Sequence, residues 1–304
     1  FGFFIGATSE NLESLNEAGP ACGIKIFMGS STGDLLVDEE KHLDRIFGNG
    51  KRLIAVHAED ETRIRERTRA LLSDAASPDC ALHSVIRDPQ TALIATERAL
   101  RLSEKYGRRL HILHLSTAEE VKRLRTDKPA QVTCEVIPNH LFLDTEDYRT
   151  LGSRVQMNPP IRDPENTPEL WAGLHDGVID IIATDHAPHL LADKAKPYPQ
   201  APSGMPGVET SLPLRLTAMK DGKCSLKQIQ RWMCSGPART YGIPNKGVIA
   251  EGFDADLTLV DIERTKTVRD EEVFSRVRWS PYSGRDLFGW PDYTIVGGQI
   301  VFEN

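Results

Sequence analysis

A chain of 304 residues is long enough to bury one large core together with a smaller appended unit. The formal net charge is −7, and acidic and basic residues are interspersed without a basic tract, which argues against a nucleic-acid partner. No apolar run approaches about 18 residues, so no membrane-spanning helix is predicted. The five cysteines are scattered and odd in number, which predicts reduced thiols in a cytoplasmic protein.

Short apolar segments alternate with amphipathic segments along most of the chain. The predicted strands are 1–8, 23–29, 52–60, 109–117, 131–138 and 178–186. The predicted helices are 9–18, 38–48, 59–74, 88–106, 117–126 and 164–175. The longest has apolar residues at helical spacing and ends before Gly107, an expected C-cap. This alternation predicts a parallel sheet buried on both faces, and the pattern alone fits a closed (β/α)8 barrel or an open doubly wound sheet.

The hydrophobic pattern of the sequence changes near residue 244. The preceding segment 194–207 is rich in Pro and Gly and is expected to form a loop over one end of the sheet. From 244 onward, apolar and polar residues alternate between Gly turns, as in short antiparallel strands. We therefore predict two domains, an α/β domain over 1–243 and a small β domain over 244–304.

Groups that can bind a metal lie within or at the end of four predicted strands. Lys25 lies within one, and His57, His114 and Asp185 lie near the ends of three others. In a parallel α/β barrel, active groups come from the carboxyl ends of several strands, so these four would converge. Taken singly, each histidine could be a hydrogen-bonded core residue and Asp185 could be a helix N-cap. Lys25 needs a partner, deprotonation or modification, because burying an unpaired ammonium is costly.

The remaining histidines have more ordinary interpretations. His111 is expected to face away from the barrel axis and to be structural, and His186 to point away from Asp185. His140 could orient a ligand or be an ordinary hydrogen-bonded histidine. The histidines predicted to be solvated are His42, His83 and His175.

The residue types at the strand ends suit a zinc site. Neutral imidazoles and carboxylates bind Zn²⁺, and a metal-bound water has a pKa near 7. A lysine carbamylated by CO2 becomes a carboxylate on a long stem that can bridge two metals about 3.5–4 Å apart. An aspartate that binds a metal can also take a proton from the attacking hydroxide and pass it to a leaving nitrogen. Asp185 is positioned for such a shuttle.

Eight motifs follow one another along the chain: "GIKIFMGSSTG", "AVHAED", "HILHLST", "TCEVIPNHLFL", "MNPPIR", "ATDHAPH", "SGMPGVETSLPL" and "GFDADLTLVD". In these motifs the chain resembles the dihydroorotases of the amidohydrolase superfamily over essentially its whole length. The resemblance implies a (β/α)8 barrel of TIM type with a binuclear zinc site and a small β domain. It also implies reversible cyclisation of N-carbamoyl-L-aspartate to L-dihydroorotate in pyrimidine biosynthesis, a small-molecule substrate, and compatibility with a homodimer.

The resemblance also implies roles for individual residues. Lys25 resembles the carboxylated lysine that bridges two Zn²⁺ ions, and His57 and His114 resemble the ligands of the second metal. Asp185 resembles the metal-binding residue that acts as general base and acid. The residues that the resemblance implies for substrate binding are Thr32, Asn158, His189, Pro206 and Gly207.

One motif of the family is absent from the sequence. Family members carry His-x-His-x-Arg at the end of the first barrel strand, where the histidines hold a metal and the arginine binds the substrate carboxylate. No His-x-His occurs here. If Asp185 ends the eighth strand, 1–8 is the third, and we expect the first two strands to be missing from the sequence given. The alternatives are an inactive dihydroorotase-like structural partner and a hydantoinase or allantoinase, which usually lacks the second histidine of "DHAPH".

Overall fold

The structure, a computed structural model, describes residues 1–30, 35–73 and 78–304. The chain divides into two compact units, one formed by 1–179 with 192–204 and the other by 180–191 with 205–304. The domain boundary predicted at residue 243 falls inside the second unit and stays a prediction. Thr32, predicted as a substrate contact, lies outside the described residues.

The first unit contains five parallel strands, each hydrogen-bonded to the next along the chain. They are β1 (Phe4–Gly6), β2 (Gly23–Phe27), β3 (Ile54–His57), β4 (Leu110–Ile112) and β5 (Val132–Val136). Every residue of β3 and β4 is buried, as expected for a parallel sheet covered on both faces. The first five predicted strands are confirmed in order, but each is shorter than predicted. Single hydrogen bonds to the neighbouring strand continue beyond the ends of β1, β2 and β4.

Helices follow the strands of the first unit. They are α1 (Ser14–Glu17), α2 (Glu40–Gly48), α3 (Glu61–Leu72), α4 (Leu82–Ile86), α5 (Pro89–Tyr106), α6 (Ala118–Thr126), α7 (Pro138–Phe142), α8 (Tyr148–Leu151) and α9 (Asn166–Asp176). Short 3-10 turns cover Thr145–Asp147 and Gly152–Val155. Within helix α10 (Leu191–Lys194) the chain returns to this unit, which then continues to Gly204.

The ends of α5 show how local sequence sets an element. The Asp88 carboxylate accepts a hydrogen bond from the Thr91 amide, and Pro89 occupies the first turn, where a missing N–H costs nothing. Gly107 follows the last residue with φ of 58°, the left-handed conformation that glycine adopts most easily. The predicted C-cap is therefore confirmed, and α5 packs against β4 and α6.

The second unit contains β6 (Ile181–Ile182) and a three-stranded antiparallel sheet of β7 (Leu257–Thr267), β8 (Asp286–Val296) and β9 (Gln299–Glu303). Its helices are α11 (Ser211–Lys220), α12 (Leu226–Gln230), a π-helical turn at Arg231–Ser235 and α13 (Gly236–Tyr241), with a 3-10 turn at Asp270–Glu272. Helix α11 packs against β8. The alternating pattern after residue 244 therefore did predict antiparallel strands correctly.

None of the helices in the described part of the chain is both long enough and apolar enough to cross a membrane.

Candidate active site

Two histidines of neighbouring strands point their rings at one another. His57 is the last residue of β3, and His114 follows β4 by two residues. The His57 Nδ1 lies 3.0 Å from the His114 Nε2, and both side chains are buried. His114 has a φ of 40°, a left-handed backbone that costs a non-glycine residue about 1–3 kcal/mol. This backbone strain is consistent with a residue that is retained for the direction of its side chain.

Glu59 and Arg87 hold the His57 ring in place. The Glu59 Oε2 lies 2.9 Å from the His57 Nε2, and the Arg87 Nη2 donates to the same oxygen at 2.6 Å. Burial opposes ionisation of Glu59, but the Arg87 guanidinium and the bond to His57 keep its pKa well below its usual range. An ionised Glu59 accepts the Nε2 proton, which fixes the tautomer of His57 and leaves the Nδ1 lone pair facing His114.

Both imidazoles are electrically neutral at neutral pH. Burial lowers the pKa of His57, and the hydrogen bond that its ring donates to Glu59 opposes that effect only in part. Burial lowers the pKa of His114 well below its ordinary value, and the nearby His57 and Lys25 lower it further. The His114 Nδ1 is buried and has no hydrogen-bond partner among the described residues. Neutral imidazole is the form that binds metals.

Lys25 belongs to the same cluster. It lies in β2 beside Ala55 of β3, and its Nζ is 4.5 Å from the centre of the Phe27 ring. Its positive charge is close enough to lower the pKa of His57 and of His114. The structure thus brings together three of the residues that the sequence singled out.

The cluster suits a metal but does not complete a site. Two nitrogens on one tetrahedral zinc, with Zn–N bonds of about 2.0–2.1 Å, are about 3.3 Å apart, close to the separation between His57 and His114. Within 1–30, 35–73 and 78–304, no group of three or more His, Cys, Asp or Glu side chains could hold a metal by itself. The two imidazoles therefore fit as a pair of ligands, and further ligands must be of another kind or come from elsewhere.

Asp185, the predicted general base and acid, and the predicted substrate contacts His189, Pro206 and Gly207 lie in the second unit. Asp185 follows β6 by three residues with φ of 44°, a second left-handed residue just after a strand. The Nδ1 of His186 accepts hydrogen bonds from the amides of Gly207 and Val208, at 3.1 and 3.3 Å. The His189 carbonyl accepts a bond of 2.8 Å from the Trp279 indole. His186 thus holds the loop that contains Gly207.

Asn158 lines a cavity of about 370 Å³ in the first unit. The His83 Nε2 lies 2.8 Å from the Asn158 Oδ1 and 2.9 Å from the Met157 carbonyl oxygen. Arg87 and Ser30 line the same cavity, and Arg87 donates to the Ser30 carbonyl at 2.5 Å. The volume falls in the range of about 300–1,000 Å³ typical of small-molecule sites. Arg87 lines the cavity and donates to Glu59, which in turn contacts His57 of the imidazole pair.

The prediction that His83 is solvated is wrong. Its side chain is buried, because α4 carries it against the segment that contains Met157 and Asn158. Burial and the nearby Arg87 lower its pKa to about 4. His111, by contrast, has the expected structural role, with its ring nitrogens 2.8 Å from the Thr133 hydroxyl and 2.9 Å from the Glu135 carboxylate.

The model of the Amidohydrolase family matches residues 51–301. The chain belongs to the amidohydrolase family. Among its curated relatives, the dihydroorotase of Methanosarcina mazei is 37% identical over 99% of this chain and 68% of its own length. The dihydroorotase of Bacillus subtilis is 35% identical over 98% of this chain and 68% of its own length.

Solved structures of this family have the same fold. The L-hydantoinase (dihydropyrimidinase) of Arthrobacter aurescens matches with a TM-score of 0.92 and 31% identity over 100% of this chain and 70% of its own. The dihydropyrimidinase of Brevibacillus agri matches with a TM-score of 0.90 and 27% identity over 100% of this chain and 69% of its own. Enzymes of this kind are generally metal-dependent and act on small molecules.

These comparisons confirm several predictions. They confirm the resemblance to dihydroorotases and the enzyme class, a hydrolase acting on cyclic amide bonds. They also confirm the fold class, an α/β barrel of TIM type with a small β unit.

Reasoning from the sequence missed the roles of Glu59, Arg87 and His83. Only the position of Glu59, two residues after His57, offered a local signal.

Proposed function

We propose that this amidohydrolase uses a binuclear zinc site to interconvert N-carbamoyl-L-aspartate and L-dihydroorotate. The observation that carries the proposal is the pair of buried, neutral imidazoles, His57 and His114, with facing nitrogens 3.0 Å apart. The dihydroorotase relatives, at 37% and 35% identity, support the choice of substrate. A bound zinc would supply a water nucleophile at neutral pH and polarise the amide carbonyl.

The residues proposed to hold the metals are His57 through Nδ1, His114 through Nε2, a carboxylated Lys25 and Asp185. The last two would supply oxygen ligands in addition to the imidazole pair. Glu59 keeps the His57 proton on Nε2, so that Nδ1 carries the lone pair. The Asp185 carboxylate would accept the proton of the attacking water and return it to the nitrogen that leaves the ring.

The substrate is proposed to contact Asn158, His189 and the loop at Pro206 and Gly207, with Thr32 as a further contact. His189 can act as a donor to a carboxylate, which dihydroorotate has and a simple hydantoin lacks. The five cysteines are free thiols, which supports a reducing compartment and therefore the cytoplasm. A homodimer stays an expectation, which light scattering would check.

A comparison of substrates tests the proposed function. The zinc-loaded protein is assayed with dihydroorotate, hydantoin, dihydrouracil and allantoin, and the cyclisation of N-carbamoyl-L-aspartate is followed separately. We expect the highest kcat/KM for dihydroorotate and measurable cyclisation. A preference for hydantoin or dihydrouracil would support the hydantoinase alternative, and the absence of turnover with every substrate would favour the inactive structural partner.

Glu59→Gln should weaken metal binding by about 10–100-fold, the usual effect of losing a carboxylate that orients a ligand histidine. The amide keeps the shape of the side chain but removes the charge that fixes the His57 tautomer and pairs with Arg87. Competition with a chromophoric chelator measures the affinity. Glu97→Gln is the control, since Glu97 is an exposed partner of Arg123. Unchanged affinity in a folded Glu59→Gln protein would contradict this role.

His189→Ala should retain zinc and lose about 10–150-fold in kcat/KM for dihydroorotate, the equivalent of one charge-assisted hydrogen bond of about 1.5–3 kcal/mol. Its position four residues after Asp185 motivates this expectation. Metal analysis and steady-state kinetics measure the two quantities. His175→Ala, at an exposed position of α9, serves as the control. Loss of zinc from His189→Ala would instead make His189 a metal ligand.

A further inference from the structure

A lysine is buried in the first unit and has no carboxylate partner among the described residues. Lys194 is 1% exposed, and its Nζ donates to three main-chain carbonyl oxygens: Gln156 at 3.0 Å, Pro202 at 2.8 Å and Gly204 at 3.0 Å. Among the residues that the structure describes, no ion pair involves it. Its own carbonyl accepts a bond from the Ser153 hydroxyl.

Burial of the Lys194 ammonium has an unfavourable free energy. Removing a charged group from water is unfavourable, and hydrogen bonds to carbonyl acceptors offset only part of the lost hydration. Burial accordingly lowers the pKa of Lys194 to about 7. A neutral side chain of similar length would avoid the cost altogether. The three convergent carbonyl bonds therefore indicate that the ammonium is used to hold main-chain segments in a fixed arrangement.

The segments it holds meet at Gln156. The Gln156 carbonyl accepts from the Gly204 amide at 2.9 Å as well as from Lys194. The Gln156 Nε2 donates to the Ala201 carbonyl at 2.7 Å. The loop 198–204 is thus hydrogen-bonded to Gln156 through Ala201 and Gly204. The Lys194 ammonium binds both the Gln156 carbonyl and this loop.

These segments form two walls of the 370 Å³ cavity described above. One wall is the loop from Tyr198 to Ser203, and the other contains Gln156 and Asn158. The Ser203 hydroxyl lies 3.5 Å from the His83 Nε2, the same nitrogen that contacts the Asn158 side chain. Any displacement of the loop relative to Gln156 would therefore alter the cavity beside Asn158.

We propose that Lys194 is a positioning residue for substrate binding: its ammonium fixes the loop 198–204 against Gln156 and thereby sets the cavity wall that includes Asn158. The proposal rests on the proposed function, because it takes this cavity as the one that receives dihydroorotate. Lys194 does not touch the reacting atoms. Its contribution should appear in the binding of substrate and not in the proton-transfer step.

Lys194→Met tests this role, because methionine has a similar length and no charge. We expect the KM for dihydroorotate to rise about tenfold or more, with little change in kcat or in zinc content. Lys194→Arg, which retains the positive charge, should recover part of the loss. Lys196→Ala is the matched control: Lys196 lies two residues after Lys194, is exposed and pairs with Asp193. It should have the wild-type KM.

Chemical rescue gives a second measurement. Lys194→Ala leaves the three carbonyl oxygens around an empty volume, and added ethylammonium or propylammonium should restore the KM. Tetramethylammonium, which has no N–H to donate, should not. Since the rescue returns only the ammonium, it separates a positioning role from a general loss of stability, and it remains available if Lys194→Met does not fold.

Hydrogen exchange makes the outcome independent of turnover. The Gly204 amide should exchange faster in Lys194→Met than in the wild type, and propylammonium should slow it again in Lys194→Ala. If the wild type does not turn over dihydroorotate, the proposed function fails, while exchange at Gly204 still reports whether Lys194 fixes the loop. Unchanged exchange with an unchanged KM would overturn the inference. A loss of thermal stability and kcat without a change in KM would also overturn it, because Lys194 would then be merely structural.

Discussion

Asp185→Asn should reduce dihydroorotate hydrolysis and the reverse cyclisation by about 10²–10⁴-fold, the usual contribution of a general acid–base group. The amide has the same size as the carboxylate but cannot accept a proton at neutral pH. The backbone at Asp185 supports a functional role, since a φ of 44° is unfavourable for a residue other than glycine. Both directions should fall together, because the same group would carry the proton in each.

The measurement is steady-state turnover in both directions, with the metal content determined on the same samples. If Asp185→Asn keeps its zinc and loses its rate, the proton-transfer role is separated from the ligand role. Asp176→Asn provides the control, since Asp176 ends α9 and pairs with Arg125 at the surface. Near wild-type rates in Asp185→Asn would remove this residue from the mechanism.

The order of the elements could be predicted from the sequence because their causes are local. A buried parallel strand requires only a short apolar run, and a helix end requires only a cap such as Asp88 or Gly107. The lengths of the strands could not be predicted equally well. Strand β4 ends at Ile112, yet Leu115 is still buried and its amide donates to the Glu135 carbonyl of β5 at 2.8 Å. Hydrophobicity indicates burial, whereas strand length also depends on backbone conformation, which becomes left-handed at His114.

Some residues of the candidate site could be predicted from the sequence and others could not. The sequence placed Lys25 within one strand and His57 and His114 near the ends of two others, and the parallel alignment of these strands predicted that they are neighbours. The residues that hold these side chains in place could not be predicted from the sequence, because their hydrogen-bond partners are distant along the chain. Arg87 and Glu59 are 28 residues apart, and His83 and Asn158 are 75 apart. Periodicity indicates which face of an element is buried, but it does not identify the group that a buried polar atom will meet.

The solved structures support the fold of this chain, but they and the curated relatives are named for different substrates. The solved structures reported above are hydantoinases and dihydropyrimidinases, whereas the curated relatives reported above are dihydroorotases. One barrel can serve several ring-opening reactions, because the groups that select the substrate lie on loops at the strand ends. The structural likeness therefore supports the shared chemistry of cyclic amides. We propose that the choice among substrates depends on side chains such as His189.

Lys25→Ala should lose zinc and activity together. An unmodified ammonium beside the two imidazoles would repel a metal cation, as its charge already disfavours protonation of His57 and His114. We therefore expect the zinc-loaded enzyme to carry a carbamylated Lys25, whose carboxylate adds oxygen ligands to the imidazole pair. A third ligand of this kind is needed, because the described part of the chain contains no ready cluster of three.

Two measurements check the carbamate. Protein loaded with zinc in isotope-labelled bicarbonate should give a carbamate signal in carbon NMR, and the signal should be absent from Lys25→Ala and present in Lys41→Ala, an exposed control. Short carboxylic acids such as acetate or propionate should restore part of the metal binding and turnover of Lys25→Ala, because they can occupy the volume of the missing side chain and supply the same oxygen atoms. A zinc-loaded, active wild type without the signal would show that Lys25 acts as an amine. The imidazole pair would then need an oxygen ligand from another residue, and Asp185 would be the first to test, since it is the other oxygen donor proposed for the site.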